Sequence, residues 1–433
     1  MTVPDLTAPS STTTSSTAPS STAPSLANAE WLSNGPLTRV LDILDRDGEE
    51  ARAVGGAVRN TLMGLPVDEI DVATTALPDE VMRRAKAAGI RTVPTGIDHG
   101  TVTLLVNGQP FEVTTLREDV ETYGRKAKVA FGRSWQHDAE RRDFTMNALS
   151  VTRDGAVHDY VGGVDDAMAR RVRFIGNAAT RIEEDYLRIL RFFRFHAAYG
   201  EGAPDKAAVA ACIAGRDGLE ALSRERVRTE LLKLLVAKRA VSAIVEMAEA
   251  GLLVRILGGV PLPFSLDKMA QIESTLTLAP DPVRRLGALA LFVTEDAERL
   301  FQRLRLSSNE SQRLLSMADG WWRVSASATQ AEARGLLYRA GPAFFLDRVM
   351  LAWSRSQNSI DDTRWRGLAT LSERWPIPAF PISAADLMAR GISKGPALGA
   401  ALRAAEAAWI AAGFPQDAAA IAAIADQAAK PEA

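Results

Sequence analysis

Glu69-Ile70-Asp71 sets two carboxylates two residues apart, a short distance after the glycine turn Gly55-Gly56-Ala57-Val58-Arg59-Asn60. In a strand over 67–74 both side chains would share a face, because side chains alternate along a strand. Two convergent carboxylates beside a glycine-rich turn suit a divalent cation next to a triphosphate. The glycines let backbone N–H groups come close to phosphate oxygens, and a helix opening near Val58 would set its N-terminus there. Glu112 lies in Phe111-Glu112-Val113, opposite in facing to its two apolar neighbours. Carboxylates on adjacent strands can hold two metal ions, one activating an attacking hydroxyl and one bracing the triphosphate. Taken alone, an acid-x-acid pair is a solvated strand edge, and Glu112 a surface residue; the combination is what points to a metal.

These groups need elements to hold them. Leu37, Val40, Leu41 and Leu44 fall on one side of a helix over 36–47. A short strand, 51–54, enters the glycine turn, and a helix over 58–63 leaves it. Strand signals follow at 70–74, 101–106 and 111–115, the last two joined by the hairpin dipeptide Asn107-Gly108. Segments 148–152 and 156–158 form another hairpin around Asp154-Gly155. From Asp185 onward the pattern is helical, broken by Gly and Pro clusters. This predicts an α+β head followed by a long helical body.

The whole chain sets limits. At 433 residues it is long enough for two or more domains. Its formal charge of −2 excludes a global basic field, so a nucleic-acid partner must meet local patches. A lone cysteine, Cys212, excludes an internal disulfide, is expected to be a small core residue, and fits a reducing compartment, here the cytoplasm. No apolar run reaches the roughly 18–20 residues that cross a bilayer, so no membrane partner is expected. The Ser/Thr/Ala/Pro tract over 1–28 carries too little apolar surface to order itself and is expected to be disordered. Trp321-Trp322 are expected in core packing or a surface patch rather than stacked on RNA.

Several of these motifs, in order, resemble the class II CCA-adding tRNA nucleotidyltransferase/poly(A) polymerase family. They are the segment 55–75, Thr95-Gly96-Ile97-Asp98-His99-Gly100-Thr101, Arg141-Arg142-Asp143-Phe144-Thr145-Met146-Asn147-Ala148, and Glu184-Asp185-Tyr186-Leu187-Arg188-Ile189-Leu190-Arg191-Phe192-Phe193-Arg194-Phe195. A fainter echo continues in Leu222-Ser223-Arg224-Glu225-Arg226, and in Asp386-Leu387 with Gly395-Pro396-Ala397-Leu398-Gly399. The resemblance implies a small polymerase-β-like nucleotidyltransferase head, a mixed β-sheet with helices, over 29–175. An all-α neck over 176–240, body over 241–330 and tail over 331–433 would follow.

It also implies template-free addition of C, C and A to the 3′ end of tRNA from CTP and ATP, with Mg2+ as cofactor and pyrophosphate as product. No required protein partner is evident. Glu69, Asp71 and Glu112 would be catalytic, with Glu69 and Asp71 holding metal. Gly56, Arg59, Arg142 and Asp143 would bind the triphosphate and ribose. Asp185 and Arg188 match the family's base-reading pair. Residues i and i+3 on a helix are neighbours; the carboxylate accepts from an exocyclic amine and the guanidinium donates to a ring acceptor. C and A both present that pattern, whereas G and U would leave polar groups unpaired. Without the other motifs, an exposed ion pair would explain the two residues equally well.

Arg191 and Arg194 continue the spacing on the nucleotide side, on a helix whose phenylalanines call for burial; there they need acidic or phosphate partners. The polar segment 118–128 stands where the family has a flexible loop, which leans towards full CCA addition. Arg313, Arg334, Arg339, Arg364, Arg366, Arg390 and Lys394 are candidate phosphate contacts, with Lys394 and Gly395 favoured for RNA binding. Three departures stand out. Glu69 replaces the family's usual aspartate, and Ala385 replaces a common glycine. All four histidines precede residue 200, so no phosphohydrolase metal site is expected in the C-terminal half. Two alternatives remain: a poly(A) polymerase of the same fold, or a non-catalytic RNA-binding relative.

Overall fold

Val54, Asp71 and Glu112 are brought side by side by strand register in the computed structural model, which describes residues 24–119 and 129–430. Most of the 1–28 tract and of the 118–128 loop lies outside the described residues. The chain divides into two compact units, one ending at Gly176 and one beginning at Asn177.

The first unit is built on strands β1 (Ala51–Val54), β2 (Asp71–Thr74), β3 (Arg91–Gly96), β4 (Thr101–Val106) and β5 (Gln109–Thr115). A two-stranded ribbon of β6 (Arg117–Asp119) and β7 (Val129–Phe131) stands apart, and β8 (Ser150–Val151) and β9 (Val157–His158) complete the main sheet. The seven-stranded order is β3-β4-β5-β2-β1-β8-β9. Only β2 and β5 pair in parallel; the other neighbours are antiparallel. Asn107 and Gly108 take φ of 52° and 81°, the pair of positive values a tight I′ hairpin requires between β4 and β5.

One sheet face is apolar. Ala51, Ala53, Val72, Val102, Leu104, Phe111 and Val113 are buried there. Helices α1 (Gly35–Leu44) and α3 (Pro78–Ala87) pack on this side of the sheet. Pro36 opens α1 and the stripe Leu37, Val40, Leu41, Leu44 is fully buried. Each of those leucines contributes about 1.5–3 kcal/mol by leaving water, and Leu41→Ala would cost about 2–5 kcal/mol once the cavity is counted. The opposite face carries Val54, Asp71, Ala73, Glu112 and Thr114, and is where chemistry is possible.

Two expectations are corrected here. The strand runs over Asp71–Thr74, within one residue of the 70–74 signal, and does not extend back to 67 as the alternation argument for Glu69 required. Its partner β1 ends at Val54, opposite Asp71, and Gly55 then turns away, so residues 67–70 have no ladder on that side. Glu69 therefore sits in irregular chain, and the alternation argument does not place it. The end of the N-terminal tract is also ordered. Leu26 is buried in the head core and its N–H donates to Gly155 O at 2.8 Å.

The second unit has no strand among its described residues. It opens with α6 (Ala178–Glu184), α7 (Leu187–Tyr199), α8 (Lys206–Ala214) and α9 (Arg224–Leu235). Further on, the helices Pro263–Thr275, Pro282–Ala290, Ser308–Gly320 and Pro342–Arg355 pack together. Near the end, Pro396–Ala411 and Ala418–Ala428 pair around a separate apolar cluster centred on Trp409 and Phe414. Cys212 is fully buried, and burial pushes its thiol up to about 12, so it acts as a small apolar residue.

Candidate nucleotide and metal site

Asp71 begins β2, with Val54 across one ladder and Glu112 one step before the Val72–Val113 pair on the other. Asp71 and Glu112 both alternate with buried valines, so they project from the same, open face. By accessible area Asp71 reaches solvent, yet protein crowds it. Burial first, then the charges of Glu112 and Glu69, push its carboxyl above the usual aspartate range; Arg142 pulls the other way. All three carboxylates thus act within one electrostatic neighbourhood. Among the described residues, no three His, Cys, Asp or Glu side chains already stand as a metal-ligating group. The donor set nevertheless fits a hard divalent cation: the oxygens are carboxylate oxygens, and their mutual repulsion is what a cation relieves.

The glycine turn follows directly from β1. Gly55 takes φ 67° and ψ −114°, and its N–H donates to Leu149 O at 2.9 Å. A Cβ there would make ordinary contact, 3.4 Å from Arg142 Nη1 and 3.6 Å from Asn147 O, so it is the backbone angle that calls for glycine. Gly56 has more room: a Cβ would make only ordinary contact, 3.7 Å from Arg59 Nη2.

Helix α2 (Gly56–Leu62) carries Arg59 inward, where it is 5% exposed. Arg59 Nη1 donates to Asn147 Oδ1 at 2.5 Å, and Nη2 donates to Asn60 Oδ1 at 2.8 Å. Asn147 Nδ2 donates in turn to Asp143 Oδ1 at 3.2 Å, which also accepts from Phe144 N at 2.8 Å. Asp143 and Asn147 are thereby fixed beside the turn.

Arg142 is aimed by a residue the motif did not single out. Asp138, on α4 (Trp135–Glu140), accepts from Arg142 Nη2 at 3.1 Å and from Arg141 Nη2 at 2.5 Å. Arg142 Nη1 also donates to Asn147 O at 3.2 Å. Burial alone would push the Asp138 carboxyl up, but Arg142 and Arg141 outweigh it and hold it below the usual range. Its spacing of three and four residues before two arginines was the available signal.

In the second unit, Asp185 and Arg188 are not both inside a helix. Asp185 is the break between α6 and α7, with φ −155° and ψ 103°. Its Oδ1 accepts from Leu187 N at 3.1 Å and its backbone oxygen accepts from Arg188 N at 3.0 Å, so it caps α7. Aspartate disfavours helix interiors because its side chain competes for such backbone groups. The remaining Asp185 oxygen accepts from Arg226 Nη2 at 2.6 Å. Arg188 donates to Arg181 O at 2.7 Å and pairs with Glu184.

Arg194 Nε donates to Glu230 Oε2 at 2.5 Å, and Arg191 lies 3.6 Å from the same carboxylate. Glu230, buried on α9, is the acidic partner the buried helix required. Glu184, Arg226 and Glu230 were all unassigned from sequence, although Glu184 stands one turn before Arg188.

The basic residues of the C-terminal half divide. Arg313 is held inside by Asp347 at 2.7 Å and Asp281 at 3.0 Å, which removes it as a phosphate contact. Arg364 pairs with Asp362 at 2.8 Å and Arg390 with Asp426 at 2.6 Å. Lys394 is exposed, just before Gly395 (φ 143°) and the Pro396–Ala411 helix.

A mixed sheet bringing carboxylates from neighbouring strands beside a glycine turn, followed by a helical unit, defines a nucleotidyltransferase. Residues 51–173 match the family described as the Poly A polymerase head domain. Residues 203–261 match the probable RNA and SrmB-binding site of polymerase A. The mitochondrial CCA tRNA nucleotidyltransferase 1 of Danio rerio is 34% identical over 388 residues, covering 86% of each chain. The CCA-adding enzyme of Limosilactobacillus fermentum is 32% identical, over 85% of this chain and 90% of its own. The crystal structure of the Bacillus stearothermophilus CCA-adding enzyme in complex with CTP superposes with a TM-score of 0.71 at 26% identity, covering 88% of this chain and 94% of that one. The chain belongs to the CCA-adding tRNA nucleotidyltransferase/poly(A) polymerase family.

Proposed function

We propose that this protein adds C, C and A to the 3′ end of tRNA, using CTP and ATP and releasing pyrophosphate. The observation that carries the reading is the register that sets Asp71 beside Glu112 at the mouth of the Gly55 turn, with Asp71 pushed up by burial and then by its acidic neighbours. Relatives matched over most of their length are named for the same activity.

Glu69 and Asp71, with Glu112 assisting, are the residues that would hold magnesium. When bound, the ion supplies positive charge that lowers the pKa of the RNA 3′ hydroxyl and offsets charge on the triphosphate. Arg142, aimed by Asp138, and Arg59, held by Asn60 and Asn147, grip the phosphates. Gly55 and Gly56 let the backbone approach them, and Asp143 orients the ribose side through Asn147. The hydroxyl attacks the α-phosphorus, the bond to the bridging oxygen breaks, and pyrophosphate carries away the negative charge. Asp185 and Arg188 read the amino-acceptor edge shared by C and A. To do so they exchange Arg226 and Glu184 for the base. Arg191 and Arg194, paired with Glu230 in the nucleotide-free protein, continue the nucleotide side of α7 and bind the nucleotide there. Lys394 and Gly395 contact the tRNA backbone. The lone buried thiol fits a reducing compartment, and we assign the cytoplasm; among the described residues no helix is long and apolar enough to cross a membrane.

The test is extension of tRNA transcripts ending before CCA, after C, or after CC, resolved at single nucleotides. Three additions requiring CTP and then ATP, followed by arrest, are expected. A long ladder from ATP alone would mean a poly(A) polymerase. tRNA binding without any addition would mean a non-catalytic relative.

A further inference from the structure

Arg355 ends the Pro342–Arg355 helix half-buried, and among the described residues no acid pairs with it. Its Nε, Nη1 and Nη2 are all shielded from solvent and none has a hydrogen-bond partner among the described residues. The guanidinium carbon lies 4.4 Å from the ring centre of Phe292 and 4.7 Å from that of Trp321, so two aromatic faces clasp it. Asp296 is the acid whose charge reaches it, but Asp296 already accepts from Phe292 N at 2.6 Å, Val293 N at 3.1 Å and Arg299 Nη1 at 2.7 Å. Leaving five N–H donors unmet in a protein interior is costly, and such groups elsewhere in this chain, as in Arg313 and Arg284, are paired with acids.

Arg355 also lines a cavity of about 580 Å³ with Trp322, Ser325, Ser327, Asn358 and Trp365, its guanidinium nitrogens shielded from that space. Trp322 is 60% exposed; the Arg323 guanidinium lies over one side of its ring, 4.6 Å from the centre, and the other side is free of any ring or cation among the described residues. Trp321, the ring covering Arg355, is tethered by one hydrogen bond, Nε1 to Phe292 O at 2.9 Å. The cavity thus offers a hidden cation, hydroxyls and an open indole face. Volume and chemistry together suit a phosphate ester carrying a nucleobase.

We propose that this cavity is a second nucleotide-phosphate site, in which displacement of the Trp321 ring presents Arg355 to a phosphate while Trp322 stacks the attached base. The phosphate comes either from a free nucleotide or from an RNA strand; the chemistry is shared. The site lies wholly within the second unit and does not depend on the catalytic reading.

The full-length protein, without divalent cation, is titrated calorimetrically with AMP, with inorganic phosphate and with a short single-stranded RNA. Arg355→Met is expected to bind one AMP fewer per chain than the unaltered protein, and to melt at the same or a higher temperature because an unpaired buried charge is gone. Trp322→Ala, a surface change, is expected to weaken that AMP site about tenfold while leaving phosphate binding there unchanged. If RNA affinity falls in Arg355→Met, the strand is the source of the phosphate; if only AMP binding falls, the free nucleotide is. Equal AMP stoichiometry and equal RNA affinity across all three proteins would overturn the proposal and leave Arg355 as a strut between two rings.

Discussion

Asp71 is where the site's electrostatics concentrate. Its carboxyl is raised by burial first and then by Glu112 and Glu69. An acid with a raised folded pKa is best accommodated when protonated. The metal-free protein therefore loses stability as pH climbs from the ordinary aspartate value through the raised one, and carries that loss at neutral pH. Asp71→Asn removes the repelled charge, so without divalent cation at neutral pH its melting temperature should rise slightly. Nucleotide addition by the same variant should fall by at least about a hundredfold. A lower melting temperature would show that Asp71 is held by an attractive partner and would remove the repulsion argument. At this scale the sequence was informative about residue types and weaker about partners. The two acids and the glycine turn were visible because their spacing is local. Asp138, which aims Arg142, had a helical spacing signal but nothing to show that it is buried between two arginines.

On the proposed base-reading role of Asp185 and Arg188, nucleotide choice turns on the break between α6 and α7. The pattern reads as helical from Asp185 onward, and the i,i+3 argument set Asp185 and Arg188 on one helix; instead Asp185 is extended between α6 and α7, its side chain accepting from Leu187 N. Strand β2 stops short of Glu69 for a comparable reason. Its length is set by where β1 turns at Gly55, a tertiary limit that residues 67–70 do not announce. Hairpin β4–β5 was fully legible, since Asn107-Gly108 dictates its own geometry. With Asp185 capping and Arg188 projecting from the first turn of α7, Arg188→Ala should admit UTP and GTP in extension assays, with CTP incorporation reduced roughly tenfold by the lost charged hydrogen bonds. Unchanged rejection of UTP and GTP would assign selectivity elsewhere.

Further along α7, His196 is buried beside Phe192, with its Nε2 unpartnered among the described residues. Burial, and then Arg239, lower its pKa to about 4. A depressed histidine favours the neutral form in the folded state, so stability falls as pH drops from the ordinary value near 6.5 towards about 4. His196→Phe should flatten the pH dependence of the unfolding free energy from urea titrations across that window, by up to about 3 kcal/mol at its acid end. An unaltered pH profile would place the acid sensitivity in other groups.

Over the whole molecule, arginine is spent mostly on internal pairing. Arg284, Arg285 and Arg313 form a buried network with Glu273, Asp281 and Asp347. Arg228, Arg255 and Arg390 are each matched to acids as well. Counting basic residues along the sequence therefore overstated the surface open to phosphate, as Arg313 shows most directly: i,i+3 patterns reveal local partners, but Asp347 is distant in sequence. With a formal charge of −2, no long-range field compensates. A tRNA must then be held by few cations together with backbone N–H groups, hydroxyls and shape. Each phosphate neutralised contributes roughly 0.7–0.9 to the slope of log affinity against log salt, so a slope of only about −2 to −4 is expected between about 50 and 250 mM salt. Lys394→Glu should weaken tRNA binding at every salt concentration and make the slope shallower by about one. CTP affinity should stay the same, because the change lies far along the chain from every residue assigned to the nucleotide. A slope of about −8 or steeper would mean that many internally paired arginines release their carboxylates to take up RNA, and that the resting ion pairs are part of the binding equilibrium rather than fixed scaffolding.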